Sequence, residues 1–183
     1  MRHLPNILTL GRLLVLPPII GLMMLETLWA SWIALGLYIA GALTDWLDGM
    51  AARHFKVQSP FGTFLDPIAD KIFVMTILLM LVANGTLHGV WLIPAILILA
   101  REFLISGLRE FLGPKNIQVP VSPLGKWKTT IQMVALGFLL MGRFGDQIWS
   151  LTTTVGLTGL VIATALTIIT GWTYLKTAFK HLS

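Results

Sequence analysis

Four of the chain's eight acidic residues, Asp45, Asp48, Asp66 and Asp70, fall within a stretch of 26 residues. All four are aspartates, hard oxygen donors on a short stem, and donors of this kind suit Mg²⁺ or Mn²⁺. On helices, Asp45 and Asp48 (i, i+3) share one face, and Asp66 and Asp70 (i, i+4) share another. The segment joining the pairs, roughly His54–Thr63, is short, so the helices that carry them are expected to be antiparallel neighbours with the pairs facing each other. Four carboxylates in one dry pocket repel and need protons or cations, and four can hold two divalent ions. Two ions clamping the attacking and leaving oxygens would serve the transfer of a phosphate-linked group. A lone aspartate here would be explained as the partner of a cation such as Lys71 or Arg101; four at this spacing are not.

The elements that must position these groups follow from composition. Of 183 residues, 56% are hydrophobic and 11% charged, and there is no cysteine. Soluble domains carry about 25% charged residues, and a chain of 20.2 kDa with a mean hydropathy of +0.83 has more apolar surface than one small core can bury. Disulfide scaffolds, thiol chemistry and disorder are excluded, and the excess apolar surface is assigned to lipid. Six runs come near the roughly 20 residues that a bilayer core requires: Asn6–Leu25, Leu28–Ala52, Phe64–Ala83, Val90–Phe111, Leu124–Met141 and Trp149–Tyr174. The expectation is an all-α integral membrane protein, six transmembrane helices in one bundle. The polar first two turns of the initial run can lie in the interface as an amphipathic stretch. With connections this short, residues 1–183 are expected to form a single domain. Asn6, Thr9 and Arg12 inside the first run, and the lack of an A-x-A site, argue against a signal peptide.

Basic residues fall on alternate connections: Arg2, then Arg53 and Lys56, then Arg109, Lys115, Lys126 and Lys128, then Lys176 and Lys180. The opposite connections carry Glu26, an uncharged turn at Asn84–Gly89, and Arg143 with Asp146. The positive-inside rule places both termini and the aspartates on the cytoplasmic side. A net charge of +5 is therefore read as juxtamembrane cations meeting headgroups or phosphorylated substrates rather than nucleic acid. At about 1.5 Å per residue, Asp45 sits only about 10 Å inside the helix end. That depth suits a reaction joining a lipid headgroup to a water-soluble reactant. Gly49 and Ala52 leave a slot beside the aspartates, and Arg53 can pair with phosphate.

Residues 45–70, DWLDGMAARHFKVQSPFGTFLDPIAD, resemble the CDP-alcohol phosphotransferase pattern D-x2-D-G-x2-A-R-x8-G-x3-D-x3-D at all eight fixed positions. The six-run layout is also similar to that family. The resemblance implies a dinuclear Mg²⁺ or Mn²⁺ site at Asp45, Asp48, Asp66 and Asp70, with Asp70 as general base. It implies that Gly49 and Ala52 border the cytidine and that Arg53 binds the nucleotide phosphates. Asn6, Thr9 and Ser59 would lie near the nucleotide. It further implies a homodimer, a lipid donor, CDP-diacylglycerol, and CMP as leaving group; the compact runs and the lack of a leader suit a bacterial cytoplasmic membrane.

The stretches PNILTLGR (5–12), DPIADK (66–71), AREF (100–103) and GKWKT (125–129) are similar to the bacterial branch of that family, whose acceptor is sn-glycerol 3-phosphate. An acceptor bearing its own phosphate needs a second cationic pocket, for which Arg101, Arg109, Lys126 and Lys128 are the candidates. Arg101 lies deepest, where a cation is costly, and Glu102 or an aspartate can hold it. Lys115 is read as topology alone, and Lys71 as tuning Asp70 or neutralising the cluster. His54-Phe55-Lys56 contains H-x-K but lacks the aspartate and second copy of a phospholipase-D-type site, and neither a phosphate-binding glycine loop nor H-E-x-x-H occurs. Thr164, Thr167 and Thr170 are expected to bond between helices. The alternatives are another acceptor alcohol, such as phosphatidylglycerol, inositol phosphate or serine, or a cation transporter using the aspartates as its ion site.

Overall fold

The computed structural model is all-helical, with no strand among the described residues. Those residues are 4–55, 60–113 and 123–182; of these, the side chains of 4–8, 45–55, 60–63, 123, 177 and 180–182 lie outside the description. Helices stand where the apolar runs are: α1 (Leu4–Met24), α2 (Leu28–Phe55), α3 (Pro60–Ala83), α4 (Leu92–Leu112), α5 (Pro123–Asp146) and α6 (Thr152–Leu182). Helices are the natural choice for such runs, because in lipid each N–H and C=O must find its partner within the segment. Pro17 and Pro18 sit inside α1, where missing N–H groups leave carbonyls one turn earlier without a helical partner. Two segments, Gly89–Leu112 and Thr152–Lys176, are long and apolar enough to cross a bilayer. Leu14, Val90, Trp127, Trp172 and Phe179 are each at least 65% exposed, a surface suited to lipid.

The chain divides into two compact units, Met1–Leu87 with Gly137–Thr153 and His88–Leu136 with Thr154–Ser183. In the first, α1 packs against both α2 and α3. Phe73 of α3 is buried and stacks on Tyr38 of α2, with ring centroids 5.4 Å apart and planes at 18°. Gly41 makes this approach possible. A Cβ there would lie 2.9 Å from Phe73 Cε2 and 3.9 Å from Arg12 Cγ, so α2 is bare where Phe73 and Arg12 meet it. Small residues at such crossings let helices associate by close packing where lipid offers no hydrophobic drive.

The opposite end of this unit gathers the charges that the sequence places away from the basic connections. Glu26 takes a left-handed φ of 48° in the turn between α1 and α2. Its carboxylate accepts from Arg143 Nη2 at 2.6 Å; both side chains are exposed, so the pair contributes no more than about 1 kcal/mol. Gly142 (φ 45°, ψ −130°) kinks α5 just before its end. Asp146 Oδ1 then accepts the Thr153 backbone N–H at 2.9 Å, satisfying one of the donors that the start of α6 leaves open.

The second unit holds α4, α5 up to Leu136 and α6 from Thr154, preceded by a 3-10 turn at Gly89–Trp91. A Cβ on Gly159 would lie 2.9 Å from that of Ala135, marking the close approach of α6 to α5. The threonines of α6 depart from expectation. Thr164 Oγ1 donates to Leu160 O at 2.8 Å and Thr170 Oγ1 to Leu166 O at 2.7 Å, both within the helix, because a hydroxyl reaches the carbonyl one turn back without help from a neighbour. Thr167 Oγ1 is buried with no partner among the described residues. Among the described residues, Thr170 also bonds to another helix, accepting from Arg101.

Replacing Gly41 with Val forces a branched side chain into the Phe73 ring and is expected to destabilise the protein by about 1–3 kcal/mol. Thermal unfolding of the purified protein in detergent checks this, and a melting temperature equal to that of the parent would contradict it.

Candidate functional site

Asp66 and Asp70 lie one turn apart on α3, and both side chains are exposed on the same face. Two residues of α1 reach them. Thr9 Oγ1 donates to Asp66 Oδ1 at 2.5 Å, and Arg12 Nη1 forms an ion pair with Asp70 Oδ1. Position numbers rise together in the two contacts, so α1 and α3 run parallel here. Thr9 is fully buried and the Arg12 side chain is 3% exposed, whereas Asp70 is 52% exposed. The donors thus stand on the protein side, and the carboxylates open outward. A buried guanidinium is tolerated when a counter-charge is fixed against it, so the pair constrains Asp70 as much as Asp70 satisfies Arg12.

Lys71, expected to tune Asp70 or neutralise the cluster, makes its hydrogen bond among the described residues within its own helix. Its Nζ donates to Pro67 O at 2.8 Å, closing a turn of α3 around the proline. Arg12 takes the place beside Asp70 instead. Its signal was present in the sequence: an ionisable residue inside an apolar run, three positions from a threonine.

Asp45, Asp48, Gly49, Ala52 and Arg53 lie on the last turns of α2, and Asn6 on the first turn of α1, with side chains outside the description. Ser59 lies outside the described residues altogether. Among the described residues, no group of three or more acidic, histidine or cysteine side chains gathers. Asp66 and Asp70 fit a hard divalent cation in chemistry: they are paired carboxylates on one exposed face. One arginine bond does not exhaust the four lone-pair positions of a carboxylate.

A second polar constellation sits within the other unit. Arg101, Ile105 and Arg109 of α4, Gly125 and Lys128 of α5, and Thr170 and Tyr174 of α6 line a cavity of about 110 Å³. Each helix supplies residues three or four apart, so three single faces converge. Arg101 Nη2 donates to Thr170 Oγ1 at 3.3 Å, and Arg101 Nη1 lies 3.4 Å from Glu102 Oε1. Lys128, only 5% exposed in its side chain, pairs with the same Glu102 oxygen. Arg109 lies over the Tyr174 ring, 5.8 Å from its centroid, a cation–π arrangement that leaves the guanidinium edge for another partner. A Cβ on Gly171 would come within 3.2 Å of Arg101 Cγ, so the glycine lets the arginine stem lie against α6. Arg101 Nε is buried with no partner among the described residues, an unmet donor of the kind that an anion would satisfy.

Three of the four cations expected to hold a second phosphate are therefore together. Lys126 is exposed and is not among the residues that line the cavity. It stands two residues from Lys128, and positions so spaced point to opposite sides of a helix. Sequence reasoning had not placed Thr170 or Tyr174 here.

In a double-mutant cycle of Arg12→Met and Asp70→Asn, the two changes are expected to couple by about 1 kcal/mol, at the low end because Asp70 is half exposed. Denaturant unfolding in mixed micelles measures the coupling; strictly additive effects would contradict the pairing.

The model of the CDP-alcohol phosphatidyltransferase family matches residues 2–173. The chain is 44% identical over 176 residues to a CDP-diacylglycerol–glycerol-3-phosphate 3-phosphatidyltransferase of Rickettsia typhi, covering 96% of this chain and 97% of that protein. It is 38% identical over 213 residues to the protein of the same name from Cereibacter sphaeroides, covering 98% and 96%. A CMP-forming cardiolipin synthase of Oryza sativa subsp. japonica is 42% identical over 151 residues, covering 76% of this chain and 46% of that protein. With a match across both compact units and relatives aligned almost end to end, the chain belongs to the CDP-alcohol phosphatidyltransferase family.

Proposed function

We propose that this protein transfers the phosphatidyl group of CDP-diacylglycerol to sn-glycerol 3-phosphate, giving phosphatidylglycerophosphate and CMP. The observation that carries this reading is the pair Asp66 and Asp70, presented on one exposed face of α3 and held from α1 by Thr9 and Arg12. Asp45 and Asp48 complete the donor set from α2. Two divalent cations, Mg²⁺ or Mn²⁺, held by these four would neutralise the diphosphate and the departing CMP.

The remaining roles fall to the chain's own side chains. Gly49 and Ala52 keep α2 thin where the cytidine lies, Arg53 pairs with the nucleotide phosphates, and Asn6, Thr9 and Ser59 border the nucleotide. Thr9 and Arg12 hold the two α3 carboxylates in register. Asp70 accepts the proton of the acceptor hydroxyl. The acceptor oxygen bonds to the lipid-side phosphorus, the phosphoanhydride bond to CMP breaks, and the electron pair leaves on the CMP oxygen. The acceptor's own phosphate is bound by Arg101, Arg109 and Lys128, with Lys126 contributing at most from outside the cavity.

Phosphatidylglycerophosphate synthesis is favoured over a phosphatidylglycerol acceptor by these cations, because a phosphomonoester carries nearly two negative charges and a phosphodiester one. The family match across residues 2–173 supports a single functional domain. Six helices with basic residues on alternate connections support a multi-pass protein of the bacterial cytoplasmic membrane, with both termini and the site on the cytoplasmic side. It is expected to work as a homodimer.

Purified protein with CDP-diacylglycerol and Mg²⁺ is expected to release CMP when given glycerol 3-phosphate, and far less with inositol, serine or phosphatidylglycerol. No release with any acceptor would reject the transferase reading, and preference for another alcohol would reject the acceptor. Among single variants, Lys128→Ala is expected to raise the acceptor KM by on the order of tenfold or more, and Lys126→Ala by no more than about twofold. Equal effects in steady-state CMP release would contradict the cavity assignment.

A further inference from the structure

Glu102 is a carboxylate among cations that a phosphorylated acceptor would need. Its Oε1 takes the ammonium of Lys128 and lies 3.4 Å from Arg101 Nη1, while the side chain itself is 24% exposed. Lys128 is nearly buried, and a buried ammonium without a counter-ion is strongly destabilising. Glu102 therefore does for Lys128 what a bound phosphate would do. Arg101, Arg109 and Lys128 line the cavity with three positive charges, and Glu102, which is not itself among the lining residues, offsets one of them through its pairs with Lys128 and Arg101. The surplus matches a phosphomonoester dianion and over-matches a singly charged phosphodiester.

Building on the function proposed above, we propose that Glu102 is a specificity-determining residue: the resident counter-anion of the acceptor pocket, which yields Lys128 only to an incoming phosphomonoester dianion. Lys128 has three N–H donors and can turn from the carboxylate to the ligand on its flexible stem. Arg101 keeps Thr170 and Glu102, and its Nε supplies a further donor. An uncharged acceptor offers nothing to replace Glu102. A monoanion leaves part of the cationic charge uncompensated. Glu102 thus weakens phosphate binding in absolute terms and sharpens the choice among acceptors.

Isothermal titration of the full-length protein in nonionic detergent, without lipid donor, tests this with methyl phosphate and dimethyl phosphate as probes. The parent protein is expected to bind methyl phosphate at least about tenfold more tightly than dimethyl phosphate. Glu102→Gln is expected to bind methyl phosphate on the order of tenfold more tightly than the parent, with the preference over dimethyl phosphate reduced. Glu102→Asp, which keeps the charge, is expected to stay within about threefold of the parent. In turnover, Glu102→Gln lowers the acceptor KM and leaves the donor KM unchanged. Equal binding of the two probes by the parent would overturn the proposal, and this arm requires no variant to fold. Unchanged or weaker methyl phosphate binding by a folded Glu102→Gln protein would overturn it too. The titrations involve no catalysis, so a protein that shows these shifts yet releases no CMP retains the counter-anion and loses the transferase reading.

Discussion

A charge carried into a low-dielectric layer must bring its partner with it, and the described side chains follow that constraint at each interior cation. Arg12 is buried against Asp70, and Lys128 is buried against Glu102. In both pairs the cation is the more enclosed member and the carboxylate the more accessible. At Asp70 the arrangement leaves carboxylate oxygens open outward; at Lys128 the ammonium still lines its cavity. At Asp66 and Asp70 the arrival that fits is a hard cation; at Arg101, Arg109 and Lys128 it is an anion. The exposed pair Glu26–Arg143 lies at the rim, where water reduces its worth.

The helices themselves were legible because long apolar runs satisfy their backbone groups most simply as helices. Each apolar run became a helix with shifted ends: α3 begins at Pro60 rather than Phe64, and α6 continues past Tyr174 to Leu182. Amphipathic and charged turns extended them, since a helix does not stop where hydrophobicity does. The common face of Asp66 and Asp70 followed from spacing alone. Arg101 and Arg109 were grouped by charge rather than by spacing, and they do stand on one side of α4, eight positions apart.

What escaped the sequence was mostly long-range. No periodicity reveals that Thr9 and Arg12 lie over α3, fifty-seven and fifty-eight positions away in sequence. Adjacent opposite charges at Arg101 and Glu102 read as local neutralisation, whereas Glu102 also reaches α5. Thr164 and Thr170 of α6 donate within their own helix, an option always open to a hydroxyl. The grouping of Lys126 with Lys128 is different, because positions two apart cannot share a helix face; that separation was readable and went unused. Asp45, Asp48, Gly49, Ala52 and Arg53 are known here by their place on α2 and by the motif they complete.

In the proposed site, aspartates of α2 and α3 together hold divalent cations, and α1 holds the α3 half in place. Electron paramagnetic resonance titration of Mn²⁺ into the purified protein tests it most directly, because the bound ion is counted without any substrate. The account predicts two ions per chain in the parent protein and fewer, more weakly held, after Asp66→Asn or Asp70→Asn. Absence of Mn²⁺ binding, or an unchanged stoichiometry and affinity in both variants, would contradict it.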